Sequence, residues 1–398
     1  MTVVGPLNGI RVLALSRILA GPWAGQLLAD YGAEVIKVER PGTGDDTRRW
    51  GPPFLENGDA AYFQCANRNK KSITVDFTQD AGADLIRQLA GQSHVVLENF
   101  KKDGLKKYGL DYEQLSDANP GLVYCSITGF GQTGPLSHRA GYDYLIQAMG
   151  GLMSITGQPD GTPGAEPMKV GVAVTDLFTG LYAVTGILAA LREAEATGRG
   201  RHIDVSLHDC QLAMLANQAS NYLASGTSPG RLGNAHPNIV PYQVFPTQDG
   251  HMVLAIGNDH QFKTFCDLVG HEALPADPAF TTNAARVKNR DRLTPILAEV
   301  MAQRTTDDWI ELLETHHVPC GPINAVADAL ESEQAAARQM ILDHGDGQRT
   351  VASPIRFSAN LNDARPPPTL GADTDEVLQS VLGLSGAEIE DLRVKSVT

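Results

Sequence analysis

The sequence predicts an α/β protein in which a mostly parallel sheet, covered by helices on both faces, is followed by a smaller α+β unit. Short β-branched segments alternate with helical segments over the first half of the 398-residue chain, which is the pattern of parallel strands joined by crossover helices. From Ser225 to Pro237 the composition changes to Gly, Ser, Pro and Asn, which indicates a linker. We therefore expect two compact parts on either side of that linker.

The individual elements follow from apolar periodicity, which is two residues in a strand and about 3.6 in a helix. In the first part we predict strands at 11–16, 34–39, 72–76, 94–98, 122–127 and 202–207, and helices at 20–32, 81–91, 112–117, 177–191 and 209–223. After the linker we predict strands at 242–246 and 251–256 and helices at 259–269, 290–304 and 306–316. The chain ends with a helix over 326–339, short strands around 350–357 and helices at 374–382 and 385–392.

Charge and cysteine content exclude several classes of protein. The formal net charge of −14 disfavours binding to nucleic acid or to an anionic membrane, because both require a basic surface. The five cysteines form no CxxC pair and no metal-ligand spacing, so we expect reduced thiols and no metal site. The N-terminus has no secretory pattern, and no apolar run approaches the ~20 residues of a membrane span. We therefore expect a soluble, cytoplasmic protein.

Nucleotide-binding signatures are weak, although a parallel sheet makes a nucleotide the first ligand to consider. The segment Ser16–Pro22 after the first strand lacks the glycines that bring a backbone close to a pyrophosphate. Gly129–Gly134 spells GxGxxG, but Pro135 follows it and no helix begins there, which favours a glycine-rich turn. NAD and ATP are therefore disfavoured. Basic residues nevertheless collect in loops such as Lys37–Arg40 and Lys101–Lys107, which indicates an anionic ligand at the ends of the strands.

A single carboxylate, Asp176, stands at the junction between the apolar run Val170–Val174 and a helical pattern over Leu177–Leu191. Two interpretations are open at this point. Asp is a preferred N-cap residue, which accepts hydrogen bonds from the first N–H groups of a helix. A carboxylate held at the end of a buried element can also act as a covalent nucleophile toward an acyl group. Spacing alone does not choose between them.

Motifs along the whole chain resemble the class III CoA-transferase family, also called the formyl-CoA and carnitine CoA-transferase family. These motifs are Leu7–Leu13, Ala20–Pro22, Tyr31–Gly42, Asn69–Ile73, Glu98–Phe100, Ser126–Gly131, Ala140–Asp143, Val174–Asp176, Thr197–Gly200 and Pro366–Gly371. Within the family, the segments Gly42–Phe54, Ile239–Gln243 and Ala364–Pro368 are similar to the dicarboxylate branch. That branch includes succinyl-CoA transferases acting on glutarate or hydroxymethylglutarate, and itaconate CoA-transferases.

The resemblance makes Asp176 the nucleophile. Its carboxylate would attack a donor thioester to give an aspartyl acyl anhydride and CoA thiolate, and the thiolate would then form an aspartyl-CoA thioester and release the donor acid. The acceptor acid would reverse these steps, so the resemblance implies no permanently bound cofactor and no metal, with a coenzyme A thioester as substrate. The CoA- and substrate-binding residues that it implies are Ile18, Leu19, Arg40, Val75, Asn99, Phe100, Lys107, Ala140, Gly141, Tyr142, Asn234 and His236.

Two positions depart from the pattern of formyl-CoA transferases. Leu19 replaces a glutamine after the first strand, and Gly233–Pro237 replaces a tetraglycine loop. Formate and oxalate chemistry is therefore disfavoured, and Asn234 and His236 are candidates to cover the site in place of that loop. A second carboxylate on the acceptor requires a cationic or amide partner, for which the candidates are Arg49, Arg68, Asn234 and His236.

Two other functions remain as alternatives. An α-methylacyl-CoA racemase shares the fold but uses a histidine in a Gly-His-Asp string, whereas this chain has Tyr142 between Gly141 and Asp143. A tyrosine is a poor base near neutrality. The other alternative, a noncatalytic CoA-binding protein, would have no use for Asp176. We therefore expect transfer of CoA from an acyl-CoA, with succinyl-CoA as the expected donor, to a small dicarboxylate.

The resemblance also implies an interlocked homodimer with a Rossmann-like large domain. It places residues 1–224 in the N-terminal part of that domain, 225–330 in the linker and the small α+β domain, and 331–398 in a return segment and the C-terminal part of the large domain. The expected partners are an acyl-CoA, a small carboxylic acid and a second copy of the chain, with no nucleic acid and no membrane.

Overall fold

A computed structural model describes residues 5–358 and 364–398. The chain forms two compact units. The first comprises Met1–Leu152, Lys169–Gly226 and Glu333–Thr398, and the second comprises Met153–Met168 and Thr227–Ser332. The segment Met153–Met168, which the sequence-based boundaries place in the large domain, therefore groups with the second unit.

The described strands and helices are numbered here in chain order. The strands are β1 (Arg11–Leu15), β2 (Glu34–Glu39), β3 (Lys70–Thr74), β4 (Val95–Glu98), β5 (Val123–Thr128), β6 (His202–Ser206), β7 (Tyr242–Pro246), β8 (His251–Ala255), β9 (Cys320–Pro322), β10 (Ile341–Asp343) and β11 (Arg349–Val351). The helices are α1 (Ala20–Asp30), α2 (Ala61–Gln64), α3 (Asp80–Gly91), α4 (Tyr112–Ala118), α5 (Asp143–Met149), α6 (Leu152–Ile155), α7 (Val174–Thr197), α8 (Leu207–Met214), α9 (Ala216–Ser225), α10 (Asp259–Leu268), α11 (Asn283–Lys288), α12 (Arg290–Met301), α13 (Thr306–Thr315), α14 (Val326–Glu331), α15 (Glu333–Ala337), α16 (Thr374–Leu382) and α17 (Gly386–Val394). Short 3-10 turns occur at Asp46–Arg49, Lys106–Tyr108 and Leu274–Ala276.

The first unit is built on a six-stranded sheet in the order β3-β2-β1-β4-β5-β6, with every neighbouring pair parallel. The predicted parallel α/β sheet is confirmed. The strand order reverses at β1, since β2 and β3 lie to one side of it and β4, β5 and β6 to the other. Ligands bind to such sheets outside the carboxyl ends of the strands at this reversal. The residues that follow β1 and β4 are therefore the first place to search for a site.

The central strands of this sheet are buried on both faces. Successive strand residues point to opposite sides, so each of these strands contributes to two cores. In β1, Val12 and Ala14 join a core that contains side chains of α1 and α7. Leu13 and Leu15 join a second core, on the other face, that contains side chains of α3 and α16. The nearly continuous apolar character of central strands such as β1 and β4 follows from this double burial.

Helix α7, whose third residue is Asp176, packs against the sheet. Its 24 residues are long and apolar enough to cross a membrane by length and composition, so the expectation that no apolar run approaches that length is wrong. In the structure one face of α7 is buried, with Ala183 and Ile187 fully inside the core. Gly180 allows α1 to approach closely, since a Cβ there would lie 2.9 Å from the carbonyl oxygen of Ala20.

The second unit has its own core around a three-stranded antiparallel sheet, β7-β8-β9. Side chains of α10, α12 and α13 cover this sheet. Arg286 of α11 is fully buried and donates to the carbonyl oxygens of Val240 (2.7 Å) and Phe280 (3.0 Å). These bonds satisfy backbone carbonyls that would otherwise be buried without partners.

Several local predictions differ from the structure. The segment Val170–Val174 is not a buried element, since Val172 is 57% exposed. The helix predicted over 326–339 is divided into α14 and α15 at Ser332, whose backbone is extended. The strand predicted around 350–357 ends at Val351. Strand β9 was not predicted, because three residues with a central glycine carry no periodicity and become a strand only by pairing with β8.

The contact between α1 and α7 generates a stability prediction. Gly180→Leu places a side chain where the backbone of α1 already lies, so we expect it to destabilise the protein by about 1–3 kcal/mol. Ala196→Leu, at an exposed position of the same helix, is the matched control. Thermal unfolding followed by circular dichroism should show a lower midpoint for Gly180→Leu and an unchanged one for Ala196→Leu. Equal midpoints for the two variants would contradict the packing described here.

Candidate active site

Asp176 is the third residue of α7 and is 8% exposed. The residue that precedes the helix is Ala173, so the interpretation of Asp176 as an N-cap is wrong. Its carboxylate instead lies in the first helical turn, where the helix dipole favours a negative charge. In the described part of the chain, no side chain or N–H group donates a hydrogen bond to that carboxylate.

The N-terminus of α7 is capped by a residue from another helix, Asp143 at the start of α5. One oxygen of Asp143 accepts the N–H of Thr175 at 2.8 Å and that of Asp176 at 3.4 Å. Its other oxygen accepts a hydrogen bond from Nε2 of the buried Gln147 at 2.7 Å. Because Asp143 satisfies these N–H groups, the Asp176 side chain is left free for chemistry.

Burial raises the pKa of Asp176 from 3.8 to about 7, with a further contribution from the neighbouring Asp143 carboxylate. Both causes act in the same direction, because an apolar surrounding and a like charge each disfavour the ionised form. A carboxylate with few solvating groups and a pKa near 7 is a stronger nucleophile than an exposed one. Asp176 therefore has the properties of a reactive group.

A cavity of about 150 Å³ lies beside Asp176. Its walls come from the residues after β1, the residues after β4, a segment after β5 and the start of α7. The sequence-predicted site residues that line it are Ile18, Leu19, Asn99, Phe100, Ala140, Gly141, Tyr142 and Asp176. The cavity thus lies at the reversal of strand order, where the fold class places ligands.

Specific contacts fix the loops around the cavity. The side chain of Asn99 accepts the N–H of Arg17 at 2.8 Å and donates to its carbonyl oxygen at 2.6 Å, which ties the end of β4 to the loop after β1. Gly129 and Gly141 touch through their backbones, since a Cβ added to either would lie about 2.5 Å from the other's backbone atoms. That contact holds the segment with Tyr142 against the end of β5.

Glu98, the last residue of β4, shapes the turn that contains Asn99 and Phe100. Its carboxylate accepts the N–H of Phe100 at 2.7 Å. Burial raises the pKa of Glu98 to about 7, although hydrogen bonds from Ser126 and Phe100 act in the opposite direction. Glu98 therefore stabilises the turn by accepting a hydrogen bond from its backbone, and it does not line the cavity that contains Asp176.

A second, smaller cleft of about 70 Å³ lies along the ends of β1, β2 and β3. It contains the predicted residues Arg40 and Val75, and it shares Arg17 and Phe100 with the cavity beside Asp176. The guanidinium of Arg17 lies 5.1 Å from the centre of the Phe100 ring. The two clefts are thus adjacent, and Arg17 and Arg40 both line the smaller one.

Three predicted residues lie elsewhere. Lys107 is in the 3-10 turn Lys106–Tyr108, with its Nζ 4.6 Å from the centre of the Tyr108 ring, and it lines neither cleft. Asn234 and His236 belong to the second unit. There the N–H of His236 donates to the carbonyl oxygen of Tyr242 at 3.0 Å.

Tyr62 is a residue that sequence reasoning missed. Its pKa is raised to about 12, first by burial and then by the nearby Cys65, Asp176 and Asp143. These interactions show that Tyr62 lies near both carboxylates. No sequence signal identifies Tyr62, because it lies in the short helix α2, far along the chain from both carboxylates.

Comparison with known proteins places this geometry in a family. A family model described as CoA-transferase family III matches residues 7–374. The chain is 50% identical over 383 residues to the succinate–glutarate CoA-transferase of Agrobacterium fabrum, covering 94% of this chain and 95% of that protein. It is 44% identical over 397 residues to the succinyl-CoA:glutarate CoA-transferase of Mus musculus, covering 98% and 90%. A crystal structure of a CAIB/BAIF family protein from Brucella suis superposes with a TM-score of 0.83 at 51% identity, over 95% of this chain and all of that one.

The raised pKa of Asp176 generates a prediction about stability and pH. Because the folded protein binds this proton more tightly than the unfolded chain, the wild type loses stability as pH rises from about 4 to about 7. Asp176→Asn removes that loss, so we expect it to be more stable than the wild type at about pH 8, by up to about 4 kcal/mol, and to show a much smaller advantage at about pH 4.

Thermal unfolding at both pH values checks this prediction. Asp209→Asn is the matched control, because Asp209 is also the third residue of a helix, α8, but is exposed. A stability difference between Asp176→Asn and the wild type that is the same at both pH values would show that the carboxylate is not held in an unfavourable environment.

Proposed function

The chain belongs to CoA-transferase family III, and we propose that this enzyme transfers CoA from succinyl-CoA to a small dicarboxylate through covalent intermediates on Asp176. The observation that carries the proposal is the Asp176 carboxylate, which is buried, receives no hydrogen bond in the described structure and borders a cavity at the reversal of strand order. The named activities of the Agrobacterium and mouse relatives support the choice of donor and the acceptor class.

The first half of the reaction forms the aspartyl-CoA thioester. An oxygen of Asp176 attacks the thioester carbonyl, the C–S bond breaks, and CoA leaves as a thiolate while an acyl–aspartyl anhydride forms. The thiolate then attacks the aspartyl carbonyl carbon. The donor acid leaves with the oxygen that made the first attack, and Asp176 carries CoA.

The second half repeats these events in reverse with the acceptor. Its carboxylate attacks the aspartyl-CoA carbonyl and expels the thiolate, which then attacks the acceptor's own carbonyl and restores Asp176. No proton enters or leaves in the net reaction, and each step exchanges one activated carboxyl group for another. The site must exclude water, because hydrolysis of either intermediate would release the acid without transfer.

The tetrahedral intermediates require hydrogen-bond donors, and the N-terminus of α1 offers them. Leu19 and Ala20 line the cavity, and in the described residues no acceptor bonds to the N–H of either one. Trp23, one turn further, already donates to the carbonyl oxygen of Leu19 at 2.7 Å. We propose that the N–H groups of Leu19 and Ala20 stabilise the oxyanion that forms beside Asp176.

The two adjacent clefts support an extended CoA pose. We propose that the nucleotide end occupies the smaller cleft beside Arg40 and Val75, and that the thioester reaches Asp176 past Arg17 and Phe100. An arginine suits the nucleotide phosphates because its planar guanidinium pairs with two oxygens at once. This pose places the acyl group in the cavity where the nucleophile lies.

For the distal carboxylate of the acceptor, contacts within the first unit favour one of the arginine candidates. Arg68 is already engaged by both oxygens of Asp30 and by the carbonyl oxygen of Val351. Arg49 is exposed and makes one side-chain bond, to the carbonyl oxygen of Thr43 at 3.2 Å. We propose Arg49 as the arginine of this unit that is available to a second carboxylate.

Asp176→Ala should abolish exchange of CoA from succinyl-CoA to glutarate while the protein still folds and binds CoA, because only the nucleophile is removed. Asp209→Ala, at the corresponding position of α8, should keep full activity. Measurements of exchange across a panel of C4 to C6 dicarboxylates, with CoA binding by calorimetry, check both expectations. Turnover retained by Asp176→Ala would eliminate the covalent mechanism.

The same assay distinguishes the alternative functions. A racemase would exchange deuterium at the α-carbon of an acyl-CoA without transferring CoA, and a noncatalytic binder would do neither. Incubation with succinyl-CoA and hydroxylamine should convert Asp176 into a hydroxamate that is located by peptide mass mapping. A hydroxamate at another residue would assign the nucleophile there.

We also propose that the chain works as an interlocked homodimer in the cytoplasm. Large apolar side chains of α7 remain exposed in the single chain, namely Phe178, Leu181, Tyr182 and Leu188. Monomeric proteins rarely leave such a contiguous apolar surface in water. A second copy of the chain, as the family resemblance implies, would cover it.

Sedimentation equilibrium tests the dimer. The wild type should have twice the mass of the chain, and Leu181→Arg combined with Leu188→Arg should give monomers or an insoluble product, because both charges would lie in the buried contact. A wild-type protein that sediments as a monomer at micromolar concentration would contradict the proposal.

A further inference from the structure

Ile18, in the loop after β1, has a backbone conformation that its side chain disfavours. Its φ is +69°, in the left-handed region that non-glycine residues rarely adopt and β-branched residues adopt least. Such a conformation is unfavourable and persists only where surrounding contacts enforce it. Ile18 also lines the cavity that contains Asp176, so the strain lies at the site.

A buried ion pair contacts the backbone of this strained residue. Both carboxylate oxygens of Asp45 lie 3.2 Å from the N–H of Ile18. Lys37 of β2 donates to Asp45 at 2.7 Å and to the carbonyl oxygen of Ser16 at 2.9 Å. The side chains of Lys37 and Asp45 are at most 1% exposed. One buried pair therefore holds the loop at two points, just before and just at the strained residue.

The rest of the loop is held by other elements. Asn99, after β4, bonds both the N–H and the carbonyl oxygen of Arg17. Asp45 is itself fixed, since it accepts the N–H and the hydroxyl of Thr47 at 3.1 and 2.8 Å and donates its own N–H to Glu39 at 2.9 Å. The direction of the chain as it enters α1 is thus determined by side chains from two neighbouring parts of the sheet.

Stability alone does not explain a buried ion pair at this place. Removing two charges from water has a large desolvation penalty, and apolar residues of similar volume often replace such pairs without loss of stability. What an apolar pair cannot supply is an anionic acceptor for the N–H of Ile18. The position of the pair, directly behind a strained residue of the cavity wall, indicates a role in geometry.

We propose that Asp45, paired with Lys37, is a positioning residue that holds Ile18 in the left-handed conformation. The N–H groups of Leu19 and Ala20 are thereby directed at the carbonyl that reacts with Asp176. This inference rests on the proposed transferase function. Asp45 does not touch the reacting atoms in this scheme and acts only through the backbone of Ile18.

A glycine at position 18 provides the test, because glycine adopts a positive φ without strain. The background is the double variant Lys37→Met/Asp45→Leu, which removes the pair without leaving a buried charge. With succinyl-CoA and glutarate, its kcat per folded molecule should fall about tenfold to a hundredfold, since small misplacements of catalytic donors have effects of this size. Adding Ile18→Gly should restore a substantial part of that loss.

The matched controls separate positioning from general stabilisation. Ile18→Val, which stays β-branched, should give no recovery in the pair-deleted background, and Ile18→Gly in the intact enzyme should not raise kcat. All assays are run well below each variant's unfolding midpoint, so a merely structural role of the ion pair predicts the same kcat per folded molecule with and without the pair. If Lys37→Met/Asp45→Leu does not fold, Asp45→Asn serves as the background for the same comparison.

The measurements distinguish failure of the positioning role from failure of the proposed transferase function. A wild type that transfers no CoA and forms no hydroxamate at Asp176 refutes the transferase proposal itself. If the wild type does both, two results refute the positioning role alone. One is an unchanged kcat in the pair-deleted enzyme, and the other is an effect of Ile18→Gly on kcat that is the same in both backgrounds. Recovery by glycine but not by valine supports it.

Discussion

A carboxylate removed from water without a compensating partner is the constraint on which the rest of this structure depends. Asp176 lies in the first turn of α7, where burial and the neighbouring Asp143 both disfavour its charge. The helix dipole offsets only part of that cost. The protein maintains this unfavourable group because α7 is anchored along its length by the sheet core and by the close contact of Gly180 with α1.

The division of roles between two carboxylates follows from this arrangement. Asp143 takes the structural role, accepting the N–H groups at the start of α7, and Asp176 keeps its oxygens free. Neither role can be read from one residue alone, since both are Asp at the start of a helix. Their environments differ, because Asp143 is surrounded by hydrogen-bond donors whereas Asp176 faces a cavity. In many active sites, differences in environment give two residues of the same type different roles.

The sheet could be predicted from the sequence because its central strands are buried on both faces and consist mostly of apolar residues, as such burial requires. β1, β2, β4 and β5 lie within a residue or so of their predicted positions. Strand β9 and the placement of 153–168 in the second unit could not be predicted, since both depend on pairing and packing with distant parts of the chain.

Site residues that belong to a sequence motif could be predicted, whereas those brought to the site by contacts between distant segments could not. The turn at Asn99 and Phe100 and the segment Ala140–Tyr142 do line the cavity with Asp176. The capping by Asp143, the nearby hydroxyl of Tyr62 and the strain at Ile18 arise only when segments far apart in sequence meet. Lys107 was assigned from the same motifs, yet it lies outside both clefts.

The most direct test follows the oxygen atoms of Asp176. In the proposed chemistry each complete turnover leaves one oxygen of the acceptor acid on the nucleophile. After many turnovers with succinyl-CoA and glutarate labelled with ¹⁸O in its carboxylates, the peptide containing Asp176 should carry ¹⁸O in mass spectrometry, and no other peptide should. An active enzyme whose Asp176 remains unlabelled would contradict the account, because CoA would then have been transferred without passing through this side chain.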